Sequence, residues 1–510
     1  MKKINSFIFL FSILTTSYGQ SINRQLENIF SYHQLMGMSV IAVCNNNIVY
    51  SGNFGTADFS RNIPVTDSTL YKVASISKTV TAIAFMKLYE QELFCLDEDI
   101  SNILGYVVKN PYYPDIAITP RMLLSHTSGI NDCAAYSNFL QDTYSKKIPP
   151  DLAGLLSDTG FYRSLDLWQN KPPGTFFNYS NLNYGIIGTM IEKLSGQRFD
   201  IYCKQNIFEP LGISGSFNVQ DINNIDNIAV LYRMKEGEWK AQADNYKGIK
   251  PVSRDSLFYK IGSNGLIYSP QASLRISAYD LSKIMLMQMN SGVYKGVRIL
   301  NDTTVALMQK PQWIFNGNNG DNFYGLFRSW GLGFQHTTNI LNSDIVAPNY
   351  EMTGHIGDSY GLLSDMFFNS GKKIGLIFIT NGSANTFEWG NYSAFNAVEE
   401  DVFKTLFNGI INPVLENDFI TNHGNNSNSN EYAAFNSNNY NARFYLPSAG
   451  NLNCRIYNCI GKIVDEFTES FNTNGRKQIS IKTDNLNKGL YFCIIENENI
   501  KEKRILNINN

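Results

Sequence analysis

The chain has little net charge, no long apolar run after its first residues, and no grouped metal ligands. Its 42 Lys and Arg against 44 Asp and Glu leave a formal charge of -2 over 510 residues. Without a basic stripe, the electrostatic footprint of a nucleic-acid binder is missing. Beyond the N-terminus no stretch stays apolar for the roughly 20 residues that a membrane helix needs. The seven cysteines, Cys44, Cys95, Cys133, Cys203, Cys454, Cys459 and Cys493, are scattered. None has metal-ligand spacing, so buried thiols are expected, with one disulfide left open and no metal or cofactor. Neither G-x-S-x-G nor H-E-x-x-H is read along the chain, so a metallohydrolase or conventional α/β-hydrolase is not expected.

What is present begins with an export signal. Lys2 and Lys3, the apolar stretch Ile8 to Leu14 and the small-residue site Ser17-Tyr18-Gly19 predict a signal peptide over 1–19. With 43% hydrophobic and 17% charged residues, the remainder is globular and long enough for more than one domain. Apolar strand patterns occur at Met38 to Asp58 and Met352 to Asn381, with helical segments such as Val80 to Leu93 and Ser277 to Asn290 between them. This order predicts one sheet assembled from both ends of an α+β domain over 20–413, with the amphipathic stretch Ser393 to Phe407 packed on it. An Asn/Ser-rich linker is expected over 414–441, as in Asn425 to Asn430, and a small all-β domain over 442–510.

The chemistry centres on Ser75-Ile76-Ser77-Lys78. Positions i and i+3 share a helix face, so Lys78 can take the proton of Ser75. The run after it carries Ala82, Phe85, Met86 and Tyr89 at helical spacing, which puts Ser75 near a positive helix end. Such a pair arises by chance about once or twice in a chain this long. Ser370-Gly371-Lys372-Lys373 repeats it, but in a polar turn. Tyr179-Ser180-Asn181 offers a phenol for proton relay, its pKa expected to fall beside a lysine, and an amide to orient substrate. Tyr136-Ser137-Asn138 repeats that triplet without the preceding Pro-Gly turn. Gly354-His355-Ile356-Gly357 precedes a strand-like run, where glycine permits close substrate approach and the next N–H can face an oxyanion. A lone histidine is more often structural, and Lys235-Glu236-Gly237 reads as a solvated turn.

These elements, in this order, together with LLSHTSGI at Leu123 to Ile130 and LRISAYDLSKIM at Leu274 to Met285, resemble the penicillin-recognising serine hydrolases. The resemblance is to the class C β-lactamase, D-alanyl-D-alanine carboxypeptidase and family-esterase group, over about Ile22 to Ile411. It implies a β-lactamase/transpeptidase-like fold, an antiparallel sheet flanked by helices with a helical subdomain. It also implies Ser75 as acylated nucleophile, Lys78 as base, Tyr179 as relay, and Asn181, His355 and Gly357 in substrate binding. The backbone N–H groups of Ser75 and Asp358 would form the oxyanion hole. His355 stands where lysine is usual, so it is expected to be a weaker carboxylate anchor, with Asp358 adding negative charge beside it. His126 and Ser128 are expected to be structural.

The tail, with CRIYNCIGKIVDE and DNLNKGLYFCIIEN, resembles the C-terminal sorting domain of type IX secretion substrates, a small β-sandwich, although the usual Tyr-Pro-Asn-Pro entry is missing. The expectation is therefore an exported acyl-serine hydrolase of D-Ala-D-Ala or D-amino-acid peptides, β-lactams or small esters. It would be secreted or at the cell surface, with a small-molecule or peptidoglycan-peptide substrate, and with the type IX machinery as partner. No nucleic acid is expected as partner, and no transmembrane helix after signal cleavage. The alternative is a catalytically silent, penicillin-binding-like cell-surface sensor or binding protein.

Overall fold

The structure, a computed structural model, describes residues 22–253, 258–384, 387–415, 439–446, 449–458, 463–473, 475–482, 486, 489–497 and 501–508. The expected signal peptide and most of the expected linker lie outside them. The chain divides into two compact units, Met1–Asn422 and His423–Asn510.

The first unit is built on nine strands: β1 (Gly37–Cys44), β2 (Asn47–Asp58), β3 (Ile63–Pro64), β4 (Trp313–Ile314), β5 (Ser329–Trp330), β6 (Gln335–His336), β7 (Thr353–Ser359), β8 (Leu362–Asn369) and β9 (Ile374–Thr380). Their order is β4-β5-β6-β7-β8-β9-β1-β2-β3. Every pairing is antiparallel, and β1 meets β9 in the register Met38↔Thr380 to Cys44↔Ile374. The two ends of the domain thus close one sheet, as the strand patterns predict. Strand β1, GMSVIAVC, is buried at all eight positions, because helices cover both faces of the sheet.

On one face lie α2 (Ser77–Glu90), α3 (Asn181–Ser195) and α4 (Ala278–Met289); on the other, a helix over residues 22–32 (α1) and α5 (Ala397–Leu406). Helix α2 is buried well beyond the one face that Ala82, Phe85, Met86 and Tyr89 mark. Eleven of its fourteen residues are buried, including Ser77, Lys78, Thr79 and Thr81, so it is a central helix without a solvent stripe. Its polar residues point to interior partners, as when Thr79 Oγ1 donates to Gly333 O (3.0 Å) and Thr81 Oγ1 to Pro270 O (2.8 Å). A Cβ at Gly265 would lie 2.5 Å from the carbonyl carbon of Gly188 in α3, so glycine there lets the segment leading to Gln271 pass close to that helix.

In the second unit, strands Gly450–Asn458, Ile463–Phe471, Gly489–Glu496 and Lys501–Ile508 form one sheet and Asn439–Leu446 pairs with Gly475–Lys482. The two enclose Leu452, Cys454, Ile456, Ile479, Ile481, Cys493 and Ile495, the alternate positions of their strands. The first strand starts at Asn439, inside the stretch read as linker.

Candidate active site

The site begins where the chain leaves the short strand Tyr71–Lys72. Val73 N donates to Leu274 O (2.9 Å), and Val73 O accepts from Ser364 Oγ (3.0 Å). Both backbone groups are thereby fixed. Ala74 then takes a left-handed φ of 46°, which turns the chain sharply into the 3₁₀ turn Ala74–Ile76 and on into α2. Ser75 is left half-buried on a cavity of about 790 Å³.

Lys78, one turn on, is fully buried. Its Nζ donates to Ser75 Oγ, Asn181 Oδ1 and Gln271 O, each at 2.9 Å. Loss of hydration pushes its pKa from 10.5 down to about 7, against the opposing charge of Asp132. A buried lysine near half-ionised at neutral pH can both take and return a proton.

Tyr179 lies between stacked neighbours, the His126 ring at 4.4 Å and the Phe327 ring at 5.4 Å between centroids. Its hydroxyl neighbours the Ser75 side chain, which acts to lower its pKa, and Lys78 Nζ sits 4.9 Å from its ring centre. The structure corrects the direction of its titration. Desolvation raises the phenol above its ordinary value despite the contact with Ser75, so Tyr179 is protonated in the resting site. The turn LLSHTSGI carries the support: His126, at φ 56°, accepts from Ser180 N through Nδ1 (3.1 Å), and its carbonyl accepts from Asn178 N (2.8 Å). Ser128 Oγ donates to Asn183 Oδ1 at 2.8 Å.

Gly357 in β7 faces the nucleophile turn closely: a Cβ there would lie 2.6 Å from Val73 O and 3.2 Å from Ala74 Cβ. Asp358 follows it on the cavity wall, its pKa raised by desolvation and opposed by Arg233. His355 does not stand in that wall as a charged anchor. It is fully buried, its Nδ1–H donates to Ile356 O (2.6 Å), and its ring packs 5.3 Å from Trp330 and 6.2 Å from Tyr179. Burial, with Lys78 nearby, drives its pKa down to about 3, so it is neutral. Neutrality removes the charge attraction for a carboxylate that the sequence reading allowed it.

The repeated motifs fall elsewhere or play other parts. Ser370, in the turn after β8, donates to Gln309 Oε1 (3.2 Å). Tyr136 is on the helix Ala134–Ser145 and lines the same cavity. Lys235-Glu236-Gly237 is the hairpin end between strands Leu231–Lys235 and Glu238–Ala243. Gly357-Asp358-Ser359-Tyr360-Gly361 does match G-x-S-x-G, contrary to the reading above. It forms the tight connection of β7 to β8, not a strand-to-helix elbow.

Sequence reasoning missed Asp132. Its carboxylate accepts from Ser180 Oγ (2.8 Å), Asn181 N (2.9 Å), Asn181 Nδ2 (2.8 Å) and Leu182 N (3.1 Å). Both ends of the Asn181 amide are therefore engaged, with Asp132 and with Lys78. Asp132 follows LLSHTSGI by two residues, and only its contacts across the fold distinguish it from a loop aspartate. No grouping of His, Cys, Asp and Glu suited to a metal occurs among the described residues, nor a disulfide.

The family described as Beta-lactamase matches residues 22–396. A second, described as Secretion system C-terminal sorting domain, matches residues 437–509, which marks an exported protein, secreted or held at the cell surface. No helix among the described residues is long and apolar enough to cross a membrane. The chain is 27% identical over 199 residues to penicillin-binding protein 4* of Bacillus subtilis strain 168, covering 38% of this chain and 41% of that protein. It is 25% identical over 277 residues to protein flp of Staphylococcus aureus strain N315, covering 54% and 50%. The chain thus spans half or less of the curated relatives it matches. In fold it is similar to the D-amino acid amidase of Ochrobactrum anthropi SV3, with TM-score 0.56, 20% identity, and coverage of 78% of this chain and 99% of that one.

Proposed function

This chain belongs to the Beta-lactamase family, and on that premise we propose that it is an exported hydrolase working through an acyl-enzyme on Ser75. The observation that carries the reading is the 2.9 Å contact from Lys78 Nζ to Ser75 Oγ, made by a buried lysine whose pKa lies at about 7. Lys78 as free amine takes the proton of Ser75, whose Oγ attacks the acyl carbonyl. The negative oxygen is received by the backbone N–H groups of Ser75 and Asp358, which the close approach of β7 to the nucleophile turn favours. Tyr179, protonated at rest, passes its proton to the departing nitrogen or oxygen and recovers one from the Lys78 ammonium. Water then attacks the ester carbonyl by the reverse proton path.

The substrates are amides, lactams or small esters of compact acyl groups, among them D-amino-acid derivatives, the class named for the amidase of similar fold. Tyr136, Phe217, Tyr268, Phe323 and Phe327 line the cavity, which supports an apolar or aromatic acyl portion. The C-terminal unit delivers the enzyme to type IX secretion machinery and takes no part in the chemistry. Steady-state hydrolysis of an amino-acid p-nitroanilide, a p-nitrophenyl ester and a chromogenic cephalosporin tests the reading. At least one should turn over, and Ser75→Ala should lower its kcat about a thousandfold or more. Turnover surviving in Ser75→Ala, or none on the whole panel, contradicts it.

A further inference from the structure

Helix α3 opens without a cap of its own: Ser180 is its N-cap residue, yet its side chain makes no capping bond. The need is met from 49 and 50 residues upstream, where Asp132 accepts from the Asn181 and Leu182 backbone N–H groups and from Ser180 Oγ. A fourth bond, from Asn181 Nδ2, connects the carboxylate to the reacting groups. Asn181 Oδ1 accepts from Lys78 Nζ, and Lys78 donates to Ser75. The amide has one tolerable orientation. Turned over, it would aim its NH₂ at the ammonium and its oxygen at the carboxylate.

Asp132, Asn181, Lys78 and Ser75 thus form one polarised run of hydrogen bonds across three segments of the fold. The other acceptors of Lys78, Ser75 Oγ and Gln271 O, are uncharged. So are the titratable groups facing it: Tyr179 and Tyr184, whose rings lie 4.9 and 5.9 Å from its Nζ, are raised by burial, and His126 and His355 are lowered by it. Among the described residues, Asp132 is the negative charge acting on the lysine.

We propose that Asp132 is a positioning residue of this site: through Asn181 it holds the Lys78 amine on Ser75 and supplies the charge against which that amine titrates. The inference rests on the acyl-serine reading. Removal of the charge favours the free amine, so the base becomes available at lower pH, while loss of the hydrogen-bonded anchor lets it drift from Ser75.

The test is the second-order rate at which a fluorescent fluorophosphonate labels the full chain between pH 5 and 9, with folding checked by circular dichroism. Asp132→Asn should move the acid limb down by about one pH unit and lower the plateau about tenfold. Asp132→Glu, which keeps the charge and shifts its position, should lower the plateau similarly and leave the limb in place. A folded Asp132→Asn protein with an unmoved limb makes Asp132 a helix cap only and overturns the inference. Should Asp132→Asn fail to fold, Asp132→Glu decides: a lowered plateau with an unmoved limb supports the inference, and a wild-type plateau overturns it. A wild-type chain that takes no label overturns the acyl-serine reading and the inference with it, whereas a labelled wild type separates the two.

Discussion

Substitution of Gly357 by alanine tests whether the reacting turn needs the edge of β7 against it. The added methyl would lie 2.6 Å from Val73 O and 3.2 Å from Ala74 Cβ, and against Ser364 Oγ. The serine hydroxyl can rotate away only by giving up its 3.0 Å bond to Val73 O. The Val73 carbonyl has little room to yield, since the residue that carries it is held on its other side by Val73 N donating to Leu274 O at 2.9 Å. A separation of 2.6 Å is about 0.8 Å short of ordinary contact, so strand and turn must part by roughly that amount. Misplacement on this scale costs about a hundredfold in rate, as does loss of one oxyanion donor. Gly357→Ala should therefore lower kcat about a hundredfold with KM little changed, and destabilise the first unit by about 1–3 kcal/mol through overpacking. Gly371→Ala, where the nearest atom would be 3.5 Å away, is the matched control and should change neither. Steady-state hydrolysis of a chromogenic ester and thermal unfolding read both quantities. A folded Gly357→Ala enzyme with wild-type kcat would refute the reasoning, because it would show that the reaction does not depend on this close approach.

Tyr179→Phe should cost about a hundredfold in turnover with little change in Tm, while Tyr136→Phe, in the same cavity, should change turnover less than threefold; the reverse pattern means that the relay is misassigned. In the wild type, kcat/KM should fall tenfold per unit as pH drops below about 7, because burial depresses the Lys78 pKa and protonation removes the base; a limb near pH 10 contradicts this. His355→Lys would bury a second ammonium near Lys78, so it should lose about 3 kcal/mol of stability by chemical unfolding and gain no rate on anionic esters. A chain ending after residue 415 should keep full activity, and lost turnover there would give the C-terminal unit a part in the chemistry.

The strands were legible because apolar runs at Met38 to Asp58 and Met352 to Asn381 must pair to bury themselves, and antiparallel register follows once β1 lies against β9. Helix α2 was legible as a helix but not in its setting, since a helix buried all round carries no stripe that separates inside from outside. The Ser75–Lys78 and Tyr179–Asn181 groups could be named from local spacing, and the fold brings Ser75, Tyr179 and Asn181 to one cavity with Lys78 buried against Ser75 and Asn181. Their electrostatics could not be read, because the direction of a pKa shift depends on desolvation. Tyr179 rises and His355 becomes neutral through packing by Trp330, Phe327 and His126, residues outside the motifs that carry them. Asp132 was invisible for a related reason: its four donors come from residues 180–182, and no local pattern around it announces them.

The central claim is a covalent bond at one hydroxyl, and peptide mapping by mass spectrometry after fluorophosphonate labelling tests it most directly. Ser359 lines the same cavity within a G-x-S-x-G match, and Ser370 repeats the Ser-x-x-Lys spacing, so both are real competitors. The account predicts one adduct on the peptide containing Ser75, absent in Ser75→Ala and retained in Ser359→Ala and Ser370→Ala. An adduct on Ser359 or Ser370, or its persistence in Ser75→Ala, would contradict it.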